Sequence, residues 1–169
     1  YEREFVELWH QNKSVSDPVS EVVLSGVPIS VYFCPEDDCA DKVVRTLRAA
    51  NHSIYFMAFS FTHTGIANAL LAQMNNGVDV KGVVEKTQLN DFSVYPVLQY
   101  QGVDVRIDGN KYNMHHKVFI VDNSTVITGS FNPTKGGDER NDENLLIIHD
   151  KEIARLFLKE FETVFERSP

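Results

Sequence analysis

Residues 114–132 read Met114-His115-His116-Lys117-Val118-Phe119-Ile120-Val121-Asp122-Asn123-Ser124-Thr125-Val126-Ile127-Thr128-Gly129-Ser130-Phe131-Asn132. Two short runs of β-branched and aromatic residues flank the polar pair Asn123-Ser124. The stretch therefore predicts a hairpin: a strand over 117–121, a turn, and a returning strand over 126–128.

Working outward, strands and helices alternate. A β-branched run predicts a strand over 29–33. Asp37 or Asp38 then stands where a helix cap belongs, ahead of a helix to about residue 50 with Val43, Val44 and Leu47 on its inner face. A continuous apolar run over 53–59 has strand length. Thr64 is the expected cap of the next helix, 65–74, which stops at Asn75-Asn76-Gly77. Strands follow over 78–84 and 103–107, with a helix broken at Pro96 between them. Beyond the hairpin come a polar loop over 132–143 that contains Gly136-Gly137, a strand over 145–148 and a closing helix over 153–165. The apolar stripe of that helix is Ile153, Leu156, Phe157, Phe161, Val164 and Phe165. At the other end, Phe5, Leu8 and Trp9 lie at helical spacing in 2–12, and a polar, proline-containing linker occupies 12–20. The expected fold class is α/β, a mixed β-sheet sandwiched between helical layers. Residues 1–27 are expected to form an N-terminal helix and linker, and 28–169 the main domain.

The chain has 169 residues, of which 43% are hydrophobic and 24% charged, enough to bury a core without staples. Sixteen basic against 24 acidic residues leave a net charge of −8, which excludes coating of nucleic acid by bulk attraction but not a small positive site on an acidic body. No apolar run approaches the roughly 20 residues that span a bilayer, so no stable membrane insertion is expected of these residues. The two cysteines, in Cys34-Pro-Glu-Asp-Asp-Cys39, leave three alternatives: a local disulfide, a pair of ordinary thiols, or a zinc site completed by His52 and His63. The pair favours an oxidising compartment, and a leader or membrane anchor ahead of Tyr1 is compatible with it.

The chemistry concentrates in the hairpin. His115 and Lys117 are two apart and share one face of a strand, as do Ser130 and Asn132. A turn at Asn123-Ser124 sets residue 117 roughly opposite residue 130. One patch thus gathers an imidazole, an ammonium, a hydroxyl and a carboxamide, a set suited to a phosphodiester. The imidazole can attack phosphorus, Lys117 can hold the oxygens where negative charge grows, and Ser130 and Asn132 can donate to them. No metal and no cofactor is called for, because the cations are in the chain. Asp122 has the opposite parity and takes a supporting role. His10, His116 and His149 read as structural.

The pattern His115-x-Lys117-x4-Asp122, then Gly129-Ser130-x-Asn132, resembles the signature of the phospholipase D superfamily, most closely its small single-motif nucleases of the Nuc and Zucchini type. The likeness extends more loosely over 28–166, through 53–62 and 77–80. It implies a phospholipase D-like fold, His115 as nucleophile and general acid, and Lys117, Ser130 and Asn132 as the phosphate cradle. It also implies that Glu143, in Asn141-Asp142-Glu143-Asn144, orients the histidine; a carboxylate on one ring nitrogen leaves the other free to act.

In-line displacement needs a nucleophile on one side of phosphorus and an acid on the other, and no second copy of the motif exists. His149-Asp150-Lys151 begins like one, but position 156 is leucine. The second histidine is therefore expected from a second chain, in a homodimer with a shared active site. Lys111, Lys135 and Arg140 are the candidates for lining the substrate groove. The expected activity is metal-independent cleavage of DNA or RNA with low sequence specificity. The alternative is hydrolysis of phospholipid phosphodiesters such as cardiolipin.

Overall fold

Strand β3 (Ser53–Ala58) sits inside the molecule and is covered on both faces, which is why its sequence is apolar without interruption. Ile54, Phe56 and Ala58 belong to one core layer and Met57 to the other. The same division runs through β6 (Lys117–Val121), where Phe119 and Val121 face one layer and Val118 and Ile120 the other. The computed structural model describes residues 1–10 and 21–169, so the linker expected over 12–20 lies outside the described residues.

The remaining strands are β1 (Glu21–Leu24), β2 (Val27–Cys34), β4 (Asp79–Val84), β5 (Asp104–Ile107), β7 (Thr125–Gly129) and β8 (Glu143–His149). Eight strands form one mixed sheet in the order β1-β2-β8-β7-β6-β3-β4-β5. β3, β4 and β5 are parallel, and all other neighbours are antiparallel. Helices α2 (Cys39–Arg48), α3 (Thr64–Asn75) and α4 (Tyr95–Tyr100) pack on one face through Val43, Leu47, Ile66, Leu70 and Leu98. Helix α6 (Lys151–Glu166) covers the other through Ala154 and Phe161. Helix α1 (Glu2–Trp9) and the short α5 (Lys135–Glu139) are the other α-helices among the described residues. This is the expected mixed sheet between helical layers.

Several local expectations are corrected. β1 pairs with β2 through a Ser25-Gly26 turn, so the sheet reaches one strand beyond the boundary drawn at residue 27. Pro96 opens α4 rather than breaking a helix, since a missing N–H costs nothing in the first turn. His63, not Thr64, caps α3, its Nδ1 accepting from the Ile66 N–H at 3.3 Å. Asp38 holds the cap position of α2 without a side-chain bond; that end is closed by Asp138, whose Oδ1 accepts from the Ala40 N–H at 2.8 Å. The loop over 132–143 contains α5, capped by Thr134. In α6, Leu156 is exposed, and Ala154 takes a buried place on the inner face instead. The cysteines form the disulfide Cys34–Cys39, which removes the zinc alternative. His63 is spent as a cap. Among the described residues no helix is long and apolar enough to cross a membrane.

Candidate active site

The hairpin register pairs Val118 with Thr128, which sets 117 one residue from the expected partner. The first residue of β6 and the residues just past β7 therefore meet at one end of the sheet. That is the end where the parallel strands β3 and β4 finish, the usual place for a ligand in an open α/β sheet.

His115 is exposed there, on the segment leading into β6. Lys117 Nζ lies 3.3 Å from each ring nitrogen of His115 and 3.1 Å from its carbonyl oxygen. Phe59, one residue past β3, stacks edge-on against the imidazole with centroids 4.4 Å apart, and Lys117 Nζ stands 5.2 Å from the same ring. Burial lowers the Lys117 ammonium below the ordinary lysine range, and the Glu143 charge works in the opposite direction. His116 turns the other way, toward α6, with Nε2 3.7 Å from Glu160 Oε1.

Ser130 Oγ accepts two hydrogen bonds from Asn144, from its N–H at 2.9 Å and its Nδ2 at 3.2 Å. With both acceptor positions filled, the hydroxyl proton is directed elsewhere and is free to donate. The approach is close because Gly129 has φ +152°, and a Cβ there would lie 2.2 Å from the Asn144 carbonyl oxygen. The Asn132 carboxamide has its oxygen buried without a partner. Its backbone oxygen is crowded by Gly137 of α5, where a Cβ would come within 2.4 Å. Glu143, the first residue of β8, pairs across the strands with Cys34 and accepts from Asn141 Nδ2 at 3.2 Å. It lines a cleft of about 220 Å³ with Tyr1, Glu4, Phe5 and Leu8 at the α1 end of the chain.

Asp122 is not at this site. It follows the far end of β6, and its carboxylate accepts from the backbone N–H groups of Asn51, His52 and Ser53 at 2.7–2.9 Å. Burial works to raise its pKa, but these three donors outweigh it and hold the carboxyl below its usual range. Asp122 therefore pins the β3–β6 register from the end opposite the imidazole. A folded-state pKa below the unfolded value of about 3.9 contributes stability above that pH and loses it as pH falls through the folded value. Asp122→Asn is expected to cost about 2 kcal/mol at pH 7 and much less near pH 3, read from thermal melting at both. An equal loss at the two values contradicts the assignment.

Of the groove candidates, Lys111 lines a cavity that also reaches His115. Lys135 lies on α5 and pairs with Glu139 at 3.6 Å, and Arg140 is its C-cap; neither makes a contact with the imidazole among the described residues.

Three residues at the site escaped the sequence: Phe59, Asn144 and Glu85. Glu85 is fully buried at the end of β4. Its Oε2 accepts from the Met114 N–H at 2.7 Å and its Oε1 from the Thr87 N–H at 2.9 Å. Burial alone would raise its pKa, but these bonds and Lys86 hold it low, so the carboxylate is charged. It fixes the backbone at Met114, the residue immediately before His115. Glu85→Gln swaps one acceptor for a donor and is expected to lower kcat by about tenfold to a hundredfold with little change in KM. A change in KM alone contradicts this role.

The family described as cardiolipin synthase, PLD-like domain, matches this chain over residues 43–165. A relative named phospholipase D from Rickettsia typhi is 34% identical over 154 residues, covering 87% of this chain and 76% of its own. A mitochondrial cardiolipin hydrolase of Mus musculus is 33% identical over 147 residues, covering 83% and 66%. Among solved structures, the phospholipase D family member Nuc from Salmonella typhimurium superimposes with a TM-score of 0.80 at 34% identity, covering 83% of this chain and 95% of that one. NucT from Helicobacter pylori shares the fold, with a TM-score of 0.75 at 24% identity over 83% and 96% of the two chains. With this fold and these matches, the chain belongs to the phospholipase D superfamily, as a phosphodiesterase of its PLD-like branch.

Proposed function

We propose that this chain is a metal-independent endonuclease that cleaves DNA or RNA through a covalent phosphohistidine at His115, in a homodimer whose two copies share one active site. The observation that carries the reading is the exposed His115 imidazole with Lys117 3.3 Å from both its nitrogens. Ser130 and Asn132 follow directly on the end of the adjacent strand β7. His115 attacks phosphorus and the leaving oxygen departs, protonated by His115 of the second copy. Water then attacks the phosphohistidine and gives its proton to that same second imidazole, which restores both rings. Lys117, Ser130 and Asn132 hold the non-bridging oxygens throughout. Asn144 fixes the Ser130 hydroxyl, and Glu143 supplies negative charge beside Lys117. Likeness to Nuc along nearly all of its length supports a nucleic acid substrate. The Cys34–Cys39 disulfide supports an oxidising compartment.

A phospholipid phosphodiesterase is the second reading. It is favoured by the names of the Rickettsia and mouse relatives and by the exposed apolar side chains Phe5, Val6, Leu8 and Trp9 of α1, of which Phe5 and Leu8 line the Glu143 cleft. Cleavage of single- and double-stranded DNA and RNA is assayed beside cardiolipin and phosphatidylcholine vesicles, all with chelator present. Cutting of nucleic acid under chelator is the expected outcome; hydrolysis of lipid alone, or activity that requires added divalent metal, overturns the proposal. Subunit sharing is tested by mixing. After exchange with an equal amount of His115→Ala chains, activity per total protein should be about a quarter of the wild-type value, whereas independent sites give about half.

A further inference from the structure

A second cavity, about 400 Å³ in volume, opens beside His115, within the range of small-ligand pockets of about 300–1,000 Å³. It lies between the segment 108–116 and the C-terminal part of α6, and the phosphate cradle of Ser130 and Asn132 does not contribute to it. Its charges are arranged by depth. Lys111 and Arg167 line it and are exposed. Asp108 is only 4% exposed, and its Oδ2 is buried with no hydrogen-bond partner. His116 Nδ1 is likewise buried and unpartnered. Glu160, 3.7 Å from His116 Nε2, favours the proton on that nitrogen and leaves Nδ1 an acceptor.

Two buried acceptors without donors are costly unless something supplies the donors. An anion is the wrong occupant, because Asp108 and Glu160 repel it. The pocket asks for a compact group rich in N–H, attached to a phosphate held at His115. We infer that this cavity is a base subsite, resting on the nucleic acid reading above, that receives the unpaired nucleobase next to the scissile phosphate. In it Asp108 accepts a hydrogen bond from an exocyclic amino group. Adenine, cytosine and guanine carry that group; thymine does not. A base within a duplex cannot enter, so the subsite also favours single strands, whose bases splay into pockets and are read on their edges.

The test uses single-stranded oligonucleotides identical except for a central tract of dA, dC, dG or dT, cut under chelator by the full chain. The wild type is expected to cut the three amino-bearing tracts at least about fivefold faster than dT. In Asp108→Asn, where the carboxamide offers a donor as readily as an acceptor, the ratio should fall to within about twofold. Because the readout is a ratio within one preparation, partial misfolding of the variant does not mimic the result. Equal cutting of all four tracts by the wild type, or a preference that survives in Asp108→Asn, overturns the base subsite while leaving the endonuclease reading intact. Failure to cut any tract overturns the base subsite, and the endonuclease reading falls with it only if double-stranded DNA and RNA are also left uncut under chelator.

Discussion

Replacing His115 by alanine is expected to leave less than about a hundredth of the phosphodiester-cleaving rate, with the melting temperature unchanged. The two halves of this expectation come from different features. The ring is exposed, and the peptide before it is held by Glu85 through Met114 rather than by the imidazole itself, so the fold does not depend on it. Chemistry does depend on it, because the imidazole is the proposed nucleophile and, in the shared site, both copies are lost at once. Activity above a hundredth of normal, at unchanged stability, contradicts the nucleophile role.

Lys117→Ala is expected to lower kcat by about a hundredfold to a thousandfold and to change KM less, because charge on the phosphoryl oxygens grows toward the transition state. This variant also carries the pH argument. Burial depresses the Lys117 ammonium, so the wild-type rate should fall on the alkaline side earlier than an ordinary lysine would dictate. Glu143 opposes that depression. Removing its charge in Glu143→Gln lowers the Lys117 pKa further, and the alkaline limb moves to lower pH. Lys117→Arg keeps its charge at any accessible pH and removes the limb, at some cost in geometry. An alkaline limb that is identical in wild type and Lys117→Arg contradicts Lys117 as its source.

What was legible in the sequence follows a physical division. The β6–β7 hairpin was readable because strand alternation and an Asn-Ser turn are local properties. The opposite directions of His115 and His116 follow from the same two-residue period, and the structure sends one to Phe59 and the other to α6. The groups that support the site were not readable, because their partners are chosen by the fold. Asp138 closes the start of α2 across 98 residues, and Glu85 reaches Met114 across 29. Asn144 lay in plain view beside Glu143, but only the β7–β8 register brings it onto Ser130. Asp122 was assigned to the motif by its spacing; its place at the far end of β6 follows from strand length, which separates it from His115 by the whole of β6. The glycines at 136 and 137 suggested an open loop, whereas Gly137 is the residue that lets α5 pack against the Asn132 carbonyl.

The central claim is a covalent bond between His115 and phosphorus. An oligonucleotide labelled at both ends is mixed with the protein and quenched in alkali within a turnover, and the products are separated under denaturing conditions. The account predicts label migrating with the protein, located by mass spectrometry to His115 and absent from His115→Ala. Full turnover of the wild type without labelled protein at any quench time contradicts it.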